Sequence, residues 1–429
     1  MHKNFTFDPE LQKEIKSRFY YMDENPLGRK RLFFENSGGS LRLKACVEAK
    51  TRYEQIPDCP LRYHDVSLKL HEIKDKGIRD LMEVLFGAAP GEGALVTELT
   101  PSKVTFSITR AIVENVPGTN VVTTAIEHPS AYDAARMYAE KTGKEFRVAK
   151  ANPENGGVDV DEILKLVNKD TCLLSVMSAS NISGKVFPMK EIVEKARQIK
   201  PDLFIISDAV QHAPHAALYA HDLQLDGLVI APYKAMGIRG CGYGYVSDRV
   251  AALPHDKLLA KPEKEWELGT YPHANFAAMS AMVDYICWIG RHYTDIQDRR
   301  TQYVVGFQYC HAHENSLLER MLEGTEALPG LRHIPGVELY FDGPVDDSRD
   351  LVVAMGLKGM DYTALREEYD KRGVLVFERI NTSEYSKRIV ESLGRTGLLR
   401  VSPLHCHDFS DIDHFLEITW DLSLIHISE

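Results

Sequence analysis

A chain of 429 residues with 44% hydrophobic and 26% charged side chains is long enough for one large domain and a smaller one. Its formal net charge of −11 argues against non-specific binding to nucleic acid or to an anionic membrane surface, both of which need basic surface. No long apolar run reads as a membrane span. The opening MHKNFTFDPELQKEIKSRF lacks the apolar region of a secretory signal. The seven cysteines (46, 59, 172, 241, 287, 310 and 406) are scattered, odd in number and without CxxC spacing, so a reduced, cytoplasmic protein is expected. CHAHE (310–314) and HCH (405–407) carry metal-ligating residues but no second ligand pair at familiar spacing, and no metal is expected.

In chain order, residues 1–30 read as an N-terminal arm. Residues 31–290 then alternate β-rich runs with helical patterns, the signature of a parallel sheet with crossover helices. The strands expected are 120–126, 145–151, 171–178, 203–208, 227–232 and 242–247. Helices are expected over 130–143, 159–169 and 189–199, the first two introduced by the capping-type residues Ser130 and Asp159. A helix over 274–291 leads into a second helical stretch and a small α+β unit, 291–421 together. That unit has strands near 337–341, 350–357, 374–379 and 398–403 and helices near 362–372 and 409–420. The closing LSLIHISE (422–429) reads as the translation of a transposon-end adaptor, so a non-native tail is expected there.

Ligands of open α/β sheets sit beyond the carboxyl ends of the strands. His128, Asn181, Asp208, Gln211 and Lys234 each follow an expected strand, which would gather them at one edge. A lysine and an aspartate that each end a buried strand suit pyridoxal phosphate. The amine holds the aldehyde as a Schiff base, and the carboxylate keeps the pyridine nitrogen protonated. Burial lowers the lysine pKa, so the amine can also act as a base. The phosphate needs backbone N–H groups at a helix start. Within TPSKVTFSITRAIVENV (100–116), Ser107, Ile108 and Thr109 are read as that start. The glycines of KAMGIRGCGYGYV (234–246) point to something that approaches the backbone closely.

Over roughly 30–420 the sequence resembles the class V aminotransferases of pyridoxal-phosphate fold type I, a family that includes the cysteine desulfurases. The resemblance rests on an ordered set of segments. These are LFFENSGGSLRLKACVEA (32–49), VTFSITRAI (104–112), AIEHPSAYDAA (125–135), SASNISGKVFPM (178–189), SDAVQHAPH (207–215), APYKAMGIRGCGYGYVS (231–247), WELGTYPHANFAAMSAMVDYI (266–286) and LLRVSPLHCHDFSDIDHFL (398–416). It implies a large α/β domain, a small α+β domain and a homodimer acting on an amino acid. It also implies that Lys234 forms the Schiff base, Asp208 pairs with the pyridine nitrogen, Gln211 bonds the phenolic oxygen, His128 stacks on the ring, and Asn181 lies near the ring's polar edge. Ser107, Ile108 and Thr109 would hold phosphate, and Thr270 would reach it across a dimer interface. Asn36 and Arg400 would bind substrate, Arg400 through the α-carboxylate.

The sequence also departs from the family. Tyr233 stands where a histidine usually precedes the lysine, and Ala231 and Pro232 stand where a hydroxyl usually touches phosphate; Tyr233 is expected to compensate. Desulfurases that relay sulfur as a persulfide carry a cysteine ahead of the small-domain arginine, and 377–397 contains none; Cys406 follows Arg400. The expectation is therefore a desulfurase-like lyase without a relay cysteine. Aminotransferase or epimerase chemistry is the alternative, and a non-catalytic sensor of the same fold is the rival. Arg379, Tyr385, Lys387 and Arg388 read either as substrate-recognising or as a solvated charged loop; His212 and His215 read as loop donors near the ring, with a helix-surface position the alternative for His212.

Overall fold

β-Branched runs bounded by turn residues form the strands, and amphipathic stretches cross between them. The structure, a computed structural model, describes residues 4–57 and 62–427, so Cys59 and the last two residues of the closing segment lie outside the described residues. The strands are β1 (Leu32–Phe33), β2 (Ala94–Glu98), β3 (Asn120–Thr124), β4 (Glu145–Ala149), β5 (Thr171–Met177), β6 (Phe204–Asp208), β7 (Gly227–Ile230), β8 (Gly242–Val246), β9 (Val337–Tyr340), β10 (Val353–Leu357), β11 (Val374–Leu375), β12 (Phe377–Ile380) and β13 (Gly397–Val401). The α-helices are α1 (Pro9–Ser17), α2 (Lys44–Glu54), α3 (Asp65–Arg79), α4 (Pro101–Asn115), α5 (Pro129–Lys141), α6 (Val160–Leu164), α7 (Met189–Ile199), α8 (Asp248–Ala251), α9 (His273–Arg291), α10 (Arg299–Glu323), α11 (Tyr362–Lys371), α12 (Lys387–Ser392) and α13 (Phe409–Ile427).

Seven strands form the main sheet in the order β2-β8-β7-β6-β5-β3-β4. Only β8 runs against the others, pairing antiparallel with both β7 and β2. In the parallel run β7-β6-β5-β3-β4, the strands β7, β5 and β3 are fully buried and β6 nearly so, with helices on the faces, while the edge strand β4 is only part-buried. On one face Val104, Ile108 and Ile112 of α4 pack with Ala135 and Ala139 of α5. Each such aliphatic side chain contributes roughly 1.5–3 kcal/mol of burial.

The smaller sheet, β12-β13-β10-β9, is antiparallel. Its core includes Leu317, Leu318, Met321 and Leu322 from the end of α10 and Phe415 and Leu416 of α13. Three features differ from the sequence expectation. β1 pairs in parallel with β11, Leu32 opposite Val374, so Leu32 and Phe34 belong to the smaller core although residue 31 was read as opening the large unit. The helix expected over 159–169 closes after Leu164. α13 runs past 421, and Leu422 and Ser423 are buried, because Leu422 falls on the same face as the residues that fill the smaller core. Among the described residues no helix is long and apolar enough to cross a membrane, and no cluster of three or more metal-ligating side chains occurs.

The glycines around Gly242 have a packing cause. A Cβ on Gly242 would lie 2.3 Å from Pro101 N, and one on Gly244 would lie 2.6 Å from Val104 Cγ1. They let β8 lie against the start of α4, so what approaches the backbone closely at Gly242 and Gly244 is that helix.

Candidate active site

The carboxyl ends of β3, β5, β6 and β7 deliver one group each to a common edge. β6 ends in Asp208, whose Oδ1 accepts from Val210 N at 2.9 Å. β7 is followed by a single 3₁₀ turn, Pro232–Lys234, which turns the lysine back over the edge. Lys234 is 7% exposed, and Asp208 and Glu35 act on it through space. Burial, followed by the positive field of Arg400, lowers its pKa from 10.5 to about 7. Burial raises the Asp208 pKa, opposed by the Val210 N–H and by Lys234.

His128 caps α5: its Nδ1 accepts from Ser130 N at 3.2 Å and lies 2.7 Å from Ser130 Oγ. Burial, then Lys234, Arg379 and Arg388, lower its pKa to about 3, so the imidazole is neutral at ordinary pH. Gln211 donates from Nε2 to Ser37 O at 3.0 Å, which ties the β6 edge to the chain after β1. Asn181 is 4% exposed and its Oδ1 has no partner among the described residues, a buried acceptor awaiting a donor.

Two groups that the sequence did not single out complete this edge. Glu127 is fully buried; its Oε1 accepts from Thr124 Oγ1 at 2.7 Å and from Met177 N at 3.0 Å, joining the ends of β3 and β5. Burial pushes its pKa up to about 8, so this acid holds its proton at neutral pH. Glu35 accepts from Arg400 Nη2 at 2.6 Å. Their sequence signals were a carboxyl directly before His128 and another directly before Asn36. Arg388, read as part of a charged segment, reaches out of α12 and donates to Ala125 O and to Glu127 O (2.6 Å for the latter), its guanidinium 3.8 Å from the Tyr132 ring centroid. It fixes the loop that carries His128.

Several expected site residues have other duties. Ser107, Ile108 and Thr109 lie inside α4, which starts at Pro101 with Thr100 as its cap. Their backbone N–H groups are therefore spent within the helix. Ile108 is buried in the core, and Ser107 Oγ donates to Glu98 at 2.9 Å. The helix start at this sheet edge is Thr100–Lys103, beside Gly242, and the phosphate expectation moves there. Asn36 is spent on the backbone: Nδ2 donates to Phe33 O and Ser402 O, and Oδ1 accepts from Leu41 N. Both of its donors are spent, so it clasps the chain, and only a lone pair on Oδ1 is left for a ligand.

The Tyr233 ring lies under the Arg239 guanidinium at 4.1 Å, and its carbonyl accepts from Ser40 N. Thr270 is exposed in the loop before α9; its neighbour Tyr271 donates to Glu98 at 3.3 Å, so that loop borders the same edge. Arg400 is 2% exposed and donates from Nη1 to Asn181 O at 3.0 Å as well as to Glu35. His212 Nδ1 pairs with Asp350 at 2.9 Å and His215 Nδ1 with Glu314 at 2.7 Å.

The family model for class V aminotransferases matches residues 63–415. A probable cysteine desulfurase of Synechocystis sp. is 22% identical over 427 residues, 95% of this chain and 95% of that one. A cysteine desulfurase of Haloferax volcanii is 25% identical over 275 residues, 61% of this chain and 58% of that one. The apo structure of a cysteine desulfurase from Thermococcus onnurineus superposes with a TM-score of 0.79 at 19% identity, covering 98% of this chain and 99% of that one. At that identity the likeness carries the fold: an α/β architecture with a mostly parallel central sheet, matching pyridoxal-phosphate fold type I. With a family match across most of its length, this chain belongs to the class V aminotransferases.

Proposed function

We propose that the protein is a pyridoxal-phosphate enzyme acting on an amino acid, most nearly a cysteine desulfurase-like lyase that works without a persulfide-relay cysteine. The observation that carries the cofactor reading is the amine of Lys234 and the carboxylate of Asp208 at one strand edge, with a neutral imidazole on His128 and a buried free acceptor on Asn181. These residues fit the ring and aldehyde end of the cofactor. The start of α4 at Thr100–Lys103 is the helix N-terminus available to its phosphate. When bound, pyridoxal phosphate supplies an electron sink that stabilises negative charge at the substrate Cα.

The chain's own residues do the rest. Lys234 Nζ, with its pKa near 7, takes a proton from Cα and can return it. Asp208 is the carboxylate that holds a proton on the pyridine nitrogen, and Gln211 supplies an amide beside it. His128 offers a neutral face to the ring, held by Ser130 and by the Arg388 clamp on its loop. The substrate carboxylate belongs at the end where Arg379 and Arg400 lie.

The lyase reading draws on the cysteines. Residues 377–397 contain none, and the six described cysteines are all buried. Burial raises the thiol pKa of each, Cys241 and Cys287 to about 11, whereas a relay thiol needs exposure and an accessible thiolate. Breaking the carbon–sulfur bond of cysteine by elimination gives sulfide, pyruvate and ammonia, with one water consumed. The protein is read as cytoplasmic and as a homodimer. Leu258, Leu259 and Leu268 on the segment that leads to Thr270, and Leu99 on the turn before α4, are exposed apolar side chains suited to a partner copy.

The test is to incubate the holoenzyme with single amino acids, cysteine and alanine included, and assay the products. Sulfide with pyruvate and ammonia from cysteine supports the lyase. Lasting conversion of the cofactor to its amine form, reversed by a keto acid, identifies an aminotransferase instead.

A further inference from the structure

Lys234 rides on a turn that makes few bonds of its own. Lys234 N donates to Ala231 O at 2.9 Å, and Ala235 N and Gly237 N donate to Pro232 O at 3.0 and 2.8 Å. None of these uses the two groups on either side of the lysine, the carbonyl of Tyr233 and the N–H of Met236. Met236 also sits at φ 61°, in the left-handed region that a residue with a side chain seldom adopts unless it is held there. It is fully buried, so its N–H needs a partner from the protein.

Both groups are taken by one residue, Ser40. Its Oγ accepts from Met236 N at 2.7 Å and donates to Tyr233 O at 3.2 Å, and its own N–H donates to the same carbonyl at 3.0 Å. Arg42 Nη1 is a third donor to Tyr233 O, and Leu43 N donates to Met236 O at 3.0 Å. Ser40 is 4% exposed. The segment that carries it is anchored in turn. Asn36 N and Nδ2 donate to Ser402 O just after β13, and Leu41 and Leu43 are buried in the larger core. Residues 36–43 thus form a strap drawn over the lysine turn and fastened at the Ser40 hydroxyl.

We propose that Ser40 is the positioning residue for Lys234, its hydroxyl fixing where the amine meets the cofactor aldehyde. One hydrogen and two lone pairs let that hydroxyl serve the Tyr233 acceptor and the Met236 donor together. Without it Met236 N is buried with no acceptor, and the turn relieves this by taking Met236 out of the left-handed region. The lysine moves with it. The bond affected forms by addition of the amine to the aldehyde carbon with loss of one water, and needs no oxidant or reductant. Asp208 and His128, which face the ring, are held by Val210 N and by Ser130 and not by the strap. This assignment rests on the reading of the site as one for pyridoxal phosphate on Lys234.

Two ligands separate the amine from the rest of the site. They are pyridoxal phosphate and 4′-deoxypyridoxine 5′-phosphate, which carries a methyl group in place of the aldehyde and cannot bond to Lys234. Dissociation constants of both from the cofactor-free full chain are measured by fluorescence, without turnover, and their ratio reports the bond to the amine. Ser40→Thr and Ser40→Val have the same shape with and without the hydroxyl, so any crowding is common to both. Ser40→Thr should keep the ratio within a few-fold of wild type. Ser40→Val should lower it by on the order of 10-fold, the size of one or two hydrogen bonds. It should still bind 4′-deoxypyridoxine 5′-phosphate as wild type does, which separates a misplaced amine from a lost fold.

Equal ratios in Ser40→Thr and Ser40→Val overturn the assignment. So does a Ser40→Val protein that loses both ligands in proportion, since the residue would then frame the pocket with no particular hold on Lys234. If wild type binds neither ligand, or binds the two equally, the cofactor reading itself has failed, an outcome distinct from a wild-type ratio that Ser40→Val preserves.

Discussion

A lysine buried behind a strand end is costly unless its amine sheds its proton or finds a partner. In this site Lys234 is acted on by two arginines and two carboxylates, and with burial the balance brings its pKa down to about 7. Competitive labelling with a small aldehyde should therefore show Lys234 becoming reactive with a midpoint near pH 7, well below the 10.5 of a free lysine. A midpoint near 10 would mean that the amine is not prepared as a base. The residue identities at the strand ends were legible because chemistry and position agree: Asp208 closes a run of β-branched residues, and Lys234 closes another. Asn36 misled for the opposite reason. Its letter suits substrate binding, but three backbone groups within reach take both of its donors and one of its acceptor sites. Glu35 and Glu127 went unnoticed because a glutamate at a strand end has no periodicity to mark it as buried.

At the scale of elements, the parallel strands and most of their crossover helices could be read from period and composition. β2 could not. ALVTE is five residues long and pairs only with β8, so its existence depends on a distant strand. The start of α4 was misplaced because the hydroxyl residues Ser107 and Thr109 resemble caps. The true signal is Thr100 followed by Pro101, a capping side chain and a proline at the first helical position. That start bears directly on β8. Gly242→Ala places a methyl 2.3 Å from Pro101 N, and backbone cannot yield as a flexible side chain would. We expect a loss of about 1–3 kcal/mol in denaturant unfolding, the range for overpacking, together with weaker phosphate retention. An unchanged midpoint would show that β8 and α4 are not in close register.

Across the whole molecule, α10 and the turn before α13 are bound to the large sheet by a buried ionic link. His215 pairs with Glu314, whose other oxygen accepts from His405 N at 2.9 Å. Burial opposes the charge on His215, but Glu314 outweighs it and raises its pKa to about 9 from an ordinary 6.5. Burial likewise opposes charge on Glu314, and His215 outweighs it, lowering the pKa to about 2. A raised histidine stabilises fully below about pH 6.5 and loses that contribution as pH climbs through about 9. The lowered glutamate contributes fully above about pH 4.5 and fails as pH falls toward about 2. Unfolding free energy should thus be greatest between these limits. Glu314→Gln should cost about 3–5 kcal/mol and abolish the alkaline decline; a decline that survives the substitution would assign it elsewhere.

Assembly belongs to this scale as well. Leu259 is 100% exposed and Leu268 53% exposed. Sedimentation should show a dimer, and Leu259→Glu with Leu268→Glu should shift it toward monomer. A wild-type monomer that retains its cofactor would remove Thr270 from the account.

The central claim is that Lys234 carries pyridoxal phosphate, and one measurement addresses it without assuming a substrate. Purified protein is mixed with pyridoxal phosphate, its visible absorption recorded, the mixture reduced with borohydride, and the modified peptide mapped. The account predicts a visible band that borohydride bleaches, a label fixed on Lys234, and neither in Lys234→Ala. A protein that develops no band, or one whose label maps to another lysine, would contradict it.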